Sequence, residues 1–128
     1  MAYSLGGLAN LYREQSRYAE AEPLYRRALH IREQQLGPDH LQTAETMHDL
    51  ARLREVQGNR DEAKPLYEHA LAVREHIFGP EHPKTKETRK RYITLLREMG
   101  QYDEAASLKA MQSEPTKTEE EQEQRPEG

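Results

Sequence analysis

The sequence predicts an all-α fold, an array of stacked helical hairpins with about six helices. Three observations carry that expectation. Residues 1–42 laid over residues 43–84 are identical at 17 of 42 positions. The segment Tyr18–Leu29 returns as Arg60–Leu71, with Ala21, Pro23, Leu24, Tyr25, Ala28 and Leu29 matched by Ala63, Pro65, Leu66, Tyr67, Ala70 and Leu71. A fixed period near 40 residues marks a stacked repeat, in which no unit can bury its apolar face alone. The punctuation recurs as well, as Gly37-Pro38-Asp39-His40 and Gly79-Pro80-Glu81-His82.

Each helix follows from apolar spacing and its stops. Residues 1–15 place Leu5, Leu8, Ala9, Leu11 and Tyr12 three and four apart, one face of a helix, although Gly6-Gly7 weakens it. A polar turn, Ser16-Arg17, leads to a second helix from about Tyr18 to Leu36, with Pro23 expected near its start, where few intrahelical donors are required. The Gly-Pro pair ends it. A third helix is expected from about His40 to Gln57, a turn at Gly58-Asn59, and a fourth helix from about Arg60 to Phe78. A fifth spans about Pro83 to Met99, Gly100-Gln101 turns the chain, and a sixth starts near Tyr102 and carries Ala105, Leu108 and Met111. The array is expected over 1–112, in units of 1–42, 43–84 and a degenerate 85–112. Residues 113–128 hold no aliphatic or aromatic side chain, which predicts a disordered acidic tail.

Composition narrows the function. With 34% hydrophobic and 33% charged residues the chain would suit disorder if the apolar positions were scattered, but they are periodic. Residues 112–128 hold six acids and two bases, which accounts for the whole net charge of −4, so the repeats are balanced. A balanced body argues against a nucleic-acid or anionic-membrane surface. There is no cysteine, hence no disulfide, thiol nucleophile or thiolate metal site. No apolar run is as long as a membrane span, and the N-terminus lacks a charged-then-apolar leader pattern. A cytoplasmic protein is expected.

Nothing in the chain assembles a catalytic or metal motif. His69 and His76 lie seven apart with no third ligand at zinc spacing, and no His-Glu-x-x-His occurs. Gly6-Gly7 lacks the preceding strand and following lysine of a phosphate loop, and no serine sits at a nucleophile turn. No enzyme activity and no cofactor are expected.

The residues resemble tetratricopeptide repeats, of the 42-residue variety found in kinesin light chains. The first unit supplies Leu5, Leu8, Ala9 and Tyr12, then Ala21, Tyr25 and Ala28; the second supplies Met47, Leu50, Ala51 and Arg54, then Ala63, Tyr67 and Ala70. The third, with Arg89, Tyr92, Ile93 and Leu96, then Ala105, Lys109 and Gln112, is weaker, and its polar last helix reads as a solvating cap. Arg54 stands where the pattern expects tyrosine. The resemblance implies a right-handed superhelix and a non-catalytic scaffold or adaptor. Its first helices would line a concave groove for a peptide or partner helix, and the histidines at 40 and 82 would stabilise turns. Carried over by motif, the groove positions are Tyr3, Gly6, Gly7, Asn10 and Arg13, then Glu45, His48, Asp49, Arg52 and Glu55, then Glu87, Lys90, Arg91, Thr94 and Arg97. The peptide-binding set expected from these is Tyr3, Asn10, Arg13, His48, Asp49, Arg52, Lys90, Arg91, Thr94 and Arg97. The family's backbone-binding asparagine pair is replaced by Gly6-Gly7, His48-Asp49 and Lys90-Arg91. The bases Lys84, Lys86, Arg89, Lys90, Arg91 and Arg97 suggest an acidic peptide, set against the plainer reading of a solvated basic helix. Leu5, Leu8 and Tyr12 have no helix before them, which makes self-association through the first helix, a structural spacer, or a regulatory fragment of a larger signalling protein the competing readings.

Overall fold

A computed structural model describes residues 2–110, with side chains from residue 5 onward. Among the described residues there are six helices and no strand: α1 Ala2–Glu14, α2 Tyr18–Leu36, α3 Leu41–Val56, α4 Arg60–Phe78, α5 Pro83–Glu98 and α6 over 102–110. The helix ends agree with the sequence expectation to within a residue or two. Gln112 of the expected cap, Met111 and the acidic run 113–128 lie outside the described residues.

The turns inside the hairpins share one geometry. Arg17 N–H bonds the Tyr12 carbonyl, Asn59 that of Arg54, and Gln101 that of Leu96, each at 2.8 Å. This six-to-one closure needs a left-handed residue just before its last donor. Gly58 and Gly100 supply it at φ 83° and 80°, whereas the first unit uses Ser16 at φ 63°. Between hairpins, His40 and His82 cap α3 and α5. Their Nδ1 atoms accept from Gln42 N–H at 3.0 Å and Lys84 N–H at 3.1 Å. The histidines therefore stabilise these junctions as the resemblance implies.

Pro23 departs from expectation. It is the sixth residue of α2, beyond the first turn, and Pro65 holds the same place in α4. Each removes one intrahelical bond, to the carbonyls of Ala19 and Asp61. Both of those residues are exposed, so water can replace the lost donor.

Small residues set the hairpin spacing. Ala9 and Ala51, Ala21 and Ala63, and Ala28 and Ala70 are three repeat-equivalent pairs, and all six are fully buried. A side chain no larger than methyl lets two helices approach closely, and larger residues close the gaps between units. One core cluster joins Ala9, Ala21, Tyr25, Leu50 and Leu53 across α1, α2 and α3. A second joins Ala44, Met47, Ala70 and Val73, and a third runs from Ala51 and Tyr67 through Tyr92, Leu95 and Leu96 to Ala105. The core thus passes from hairpin to hairpin, as a one-dimensional array requires.

Arg54 shows how the second unit manages without its tyrosine. The side chain is buried, with Nη1 3.0 Å from Glu22 of α2 and Nε 3.1 Å from Glu62 of α4. Burial works to raise the Glu22 carboxyl. Hydrogen bonds from Arg54 and Gln57, with the charges of Arg54 and Arg26, more than reverse this and hold it below the ordinary range. An ion pair bridging two hairpins occupies the place of an aromatic ring.

Candidate peptide-binding groove

Two cavities lie along the odd-numbered helices. The first, about 550 Å³, is lined by Arg13, Glu14, Tyr18, Arg52, Glu55, Val56, Arg60, Arg91 and Glu98. Its wall is built from equivalent positions: Arg13 with Glu55, Glu14 with Val56 and Glu98, and Tyr18 with Arg60 are each 42 residues apart or a multiple of it. The second, about 610 Å³, lies over α1 and α3 and is lined in part by Gly6, Gly7, Asn10, Glu45 and Asp49. A Cβ added at Gly6 or Gly7 would meet nothing within 4 Å, so the glycines leave that end open.

Charge is concentrated in the first cavity. The Arg13 guanidinium stands 3.9 Å from Asp49, and its Nη1 is buried without a hydrogen-bond partner. Arg60 pairs with Glu98 at 3.4 Å, and Glu55 accepts from the Tyr67 hydroxyl at 2.8 Å. Arg52 and Arg91 form no ion pair among the described residues. Burial first, then the neighbouring charges of Arg13 and Arg91, push Arg52 below its ordinary value, with Asp49 and Tyr67 acting against them. Burial likewise raises the Asp49 and Glu55 carboxyls. Three guanidiniums therefore converge where each would gain from an added anion.

The expected residues fall into distinct places. Arg13, Arg52 and Arg91 meet in the first cavity. Asn10 and Asp49 line the second, and the Asn10 side-chain oxygen accepts from the Tyr25 hydroxyl. Burial pushes that hydroxyl up to about 12. Lys90, Thr94 and Arg97 face away from both, at the end of the array. The Tyr3 side chain lies outside the described residues.

His48 is not on a surface at all. It is 3% exposed, because α5 lies over it. Nδ1 is 3.2 Å from the Thr88 hydroxyl, and the ring meets Tyr67 edge to face at 5.6 Å. Burial first, then the charges of Arg74, Arg91, Arg52 and Arg13, push it down to about 3, so the ring is neutral. Motif alignment could not anticipate this, since the covering residue comes from the next unit. The six bases of the fifth helix do not form one cradle either. Arg89 is buried against Glu75 at 3.1 Å, Arg91 faces the first cavity, and Lys84, Lys86, Lys90 and Arg97 are exposed.

Glu14, Tyr18, Val56, Arg60 and Glu98 line the first cavity without having been expected there. A signal was available: Tyr18 and Arg60 are the first residues of α2 and α4, at equivalent positions beside the hairpin turn. No group of three or more potential ligands that could hold a metal occurs among the described residues. None of the described helices is long and apolar enough to cross a membrane.

The profile of the tetratricopeptide repeat family matches residues 1–75 and 53–110. The chain belongs to that family. No curated protein matches it significantly. Among solved structures it is similar to the nearly identical TPR-like repeats of a candidate kinesin light chain from Podosopora anserina, at 26% identity and a TM-score of 0.73, over 83% of this chain and 50% of that one. A point variant of the same protein gives the same figures. BtubC (BKLC) from P. vanneervenii shares the fold at 20% identity and a TM-score of 0.78, over 84% of this chain and 42% of that one. The chain thus spans half or less of the length of these structures. It is a kinesin-light-chain-like tetratricopeptide array, a class that generally mediates protein–protein interaction and is generally non-catalytic.

Proposed function

We propose that this chain is a cytoplasmic scaffold or adaptor module that holds a carboxylate-bearing peptide or partner helix in the groove across α1, α3 and α5. The observation that carries the reading is the convergence of Arg13, Arg52 and Arg91 in one cavity, with Arg52 and Arg91 in no ion pair among the described residues. A planar guanidinium grips a carboxylate through paired hydrogen bonds, and three of them in a row fix a register along an extended ligand. Such a mixed-charge groove gives specificity and encounter rate more than raw affinity. Peptide-display selection against the whole chain tests it, run beside Arg52→Glu and a Lys90→Glu/Arg97→Glu control. Acidic peptides lost with Arg52→Glu and retained by the control support the groove. Peptides retained by Arg52→Glu contradict it.

One observation favours self-association as a second role. Leu8 and Leu11 of α1 are 40% and 48% exposed, whereas their equivalents Leu50 and Leu53 in α3 are 5% and 0% exposed beneath α2. The described end face of the last unit carries Lys86, Lys90 and Arg97 instead of a leucine pair of this kind, so two copies would pair α1 against α1. Sedimentation of the wild type and of Leu8→Glu/Leu11→Glu tests the pairing; a wild type that stays monomeric as concentration rises rules it out.

A further inference from the structure

We propose that the basic end face of the array, formed by Lys86, Lys90, Thr94 and Arg97 of α5, is the docking surface of this chain's own acidic segment, residues 113–128. In the interior, the equivalent positions of α3, Ala44, His48 and Ala51, are buried, with His48 against Thr88 of α5 and Ala51 in one core cluster with Tyr92 and Ile93. One unit later those positions are Lys86, Lys90 and Ile93. Two of the three have become lysine, which bars a further helix from packing there. The face instead carries a cavity of about 400 Å³ lined by Lys86, Glu87, Lys90, Ile93, Thr94, Arg97 and Lys109. It holds four bases and one acid, in a chain whose repeats are balanced overall.

Two of those bases, Lys90 and Arg97, are unanswered locally. Lys86 reaches Glu81 at 3.4 Å across an exposed surface, and Lys90 and Arg97 form no ion pair among the described residues. The Thr94 hydroxyl donates to the Lys90 carbonyl at 3.0 Å. The counter-charge lies in the same molecule. The described chain ends at Ala110, one residue past Lys109 of this face, and the sequence continues with Glu114, Glu119, Glu120, Glu121, Glu123 and Glu127 against only Lys117 and Arg125. Lys86 to Arg97 is roughly 16 Å of helix, and 18 further residues reach up to about 60 Å when extended. The short tether holds the acids at high effective concentration beside the face. Single exposed ion pairs are weak, so the contact needs several acids together and weakens with salt.

The chain has no cysteine, so one nitroxide label can be placed at Thr118→Cys in the full-length protein. Amide intensities should fall along residues 86–97 and recover in roughly 0.5 M salt, where the Debye length is about 4 Å. Lys90→Glu/Arg97→Glu should abolish the loss, as should Gln at Glu119, Glu120, Glu121 and Glu123, which leaves the helices untouched. No loss over 86–97 overturns the proposal. So does an equal loss around Arg13 and Arg52. Loss that appears only between labelled and unlabelled molecules overturns it too, because the contact would then lie between chains.

Discussion

Ser16 holds a conformation that favours glycine, at the place where Gly58 and Gly100 stand in the later units. A left-handed residue with a Cβ is strained by about 1 kcal/mol, and Ser16 is exposed. Ser16→Gly should therefore stabilise the array by about 0.5–1 kcal/mol in urea unfolding; a destabilisation would mean the hydroxyl has a role. His48 makes a second residue-scale test. Its folded value, about 3, lies below the ordinary value of about 6.5. As pH falls through 6.5 the unfolded chain takes up a proton that the folded chain refuses. Stability is then lost progressively down to about pH 3. Between pH 6.5 and 5 this amounts to about 2 kcal/mol. His48→Gln should remove that slope, so its stability relative to wild type should improve by about that amount at pH 5. An unchanged difference between pH 7 and pH 5 would contradict the burial described for this ring. Both residues mark a limit of the sequence. Repeat alignment exposes Ser16 as the odd residue in a glycine column. It cannot show that Thr88 and α5 close over His48, because that contact joins neighbouring units.

The helices themselves were legible, because period, apolar spacing and glycine stops all agree. Helix ends came out within a residue or two for that reason. Pro23 and Pro65 did not, since a local propensity argument does not show that the carbonyls they orphan face water. Position in the array then decides energies that sequence identity would make equal. Leu11 and Leu53 are the same residue in the same repeat position, yet one is 48% exposed and the other fully buried. Leu53→Ala should cost about 2–5 kcal/mol. Leu11→Ala should cost under about 1 kcal/mol. Equal costs would show that α1 is covered in solution. The same asymmetry makes α1 the first helix expected to open, and hydrogen exchange should find its amides less protected than those of α3 and α4. Protection of α1 equal to α3 would point to the same cover.

At the scale of the whole molecule, the repeat converts equivalent positions on successive helices into one surface. Arg13, Arg52 and Arg91 meet although they come from three units and three different repeat positions, and nine of the ten expected residues divide among two cavities, an end face and the core. That cavities lie along the first helices of the hairpins could be read from the motif. Their composition could not, because a step of one residue on α5, about 100° of turn, decides whether a base lines the first cavity, as Arg91 does, or the end, as Lys90 does. The most direct test is an NMR titration of the whole chain with a hexaglutamate peptide, observing the Nε–Hε signals of Arg13, Arg52 and Arg91, beside a hexaglutamine control. The account predicts that the three arginine signals shift together and saturate with hexaglutamate alone. Signals that stay fixed, or move equally with both peptides, would contradict it.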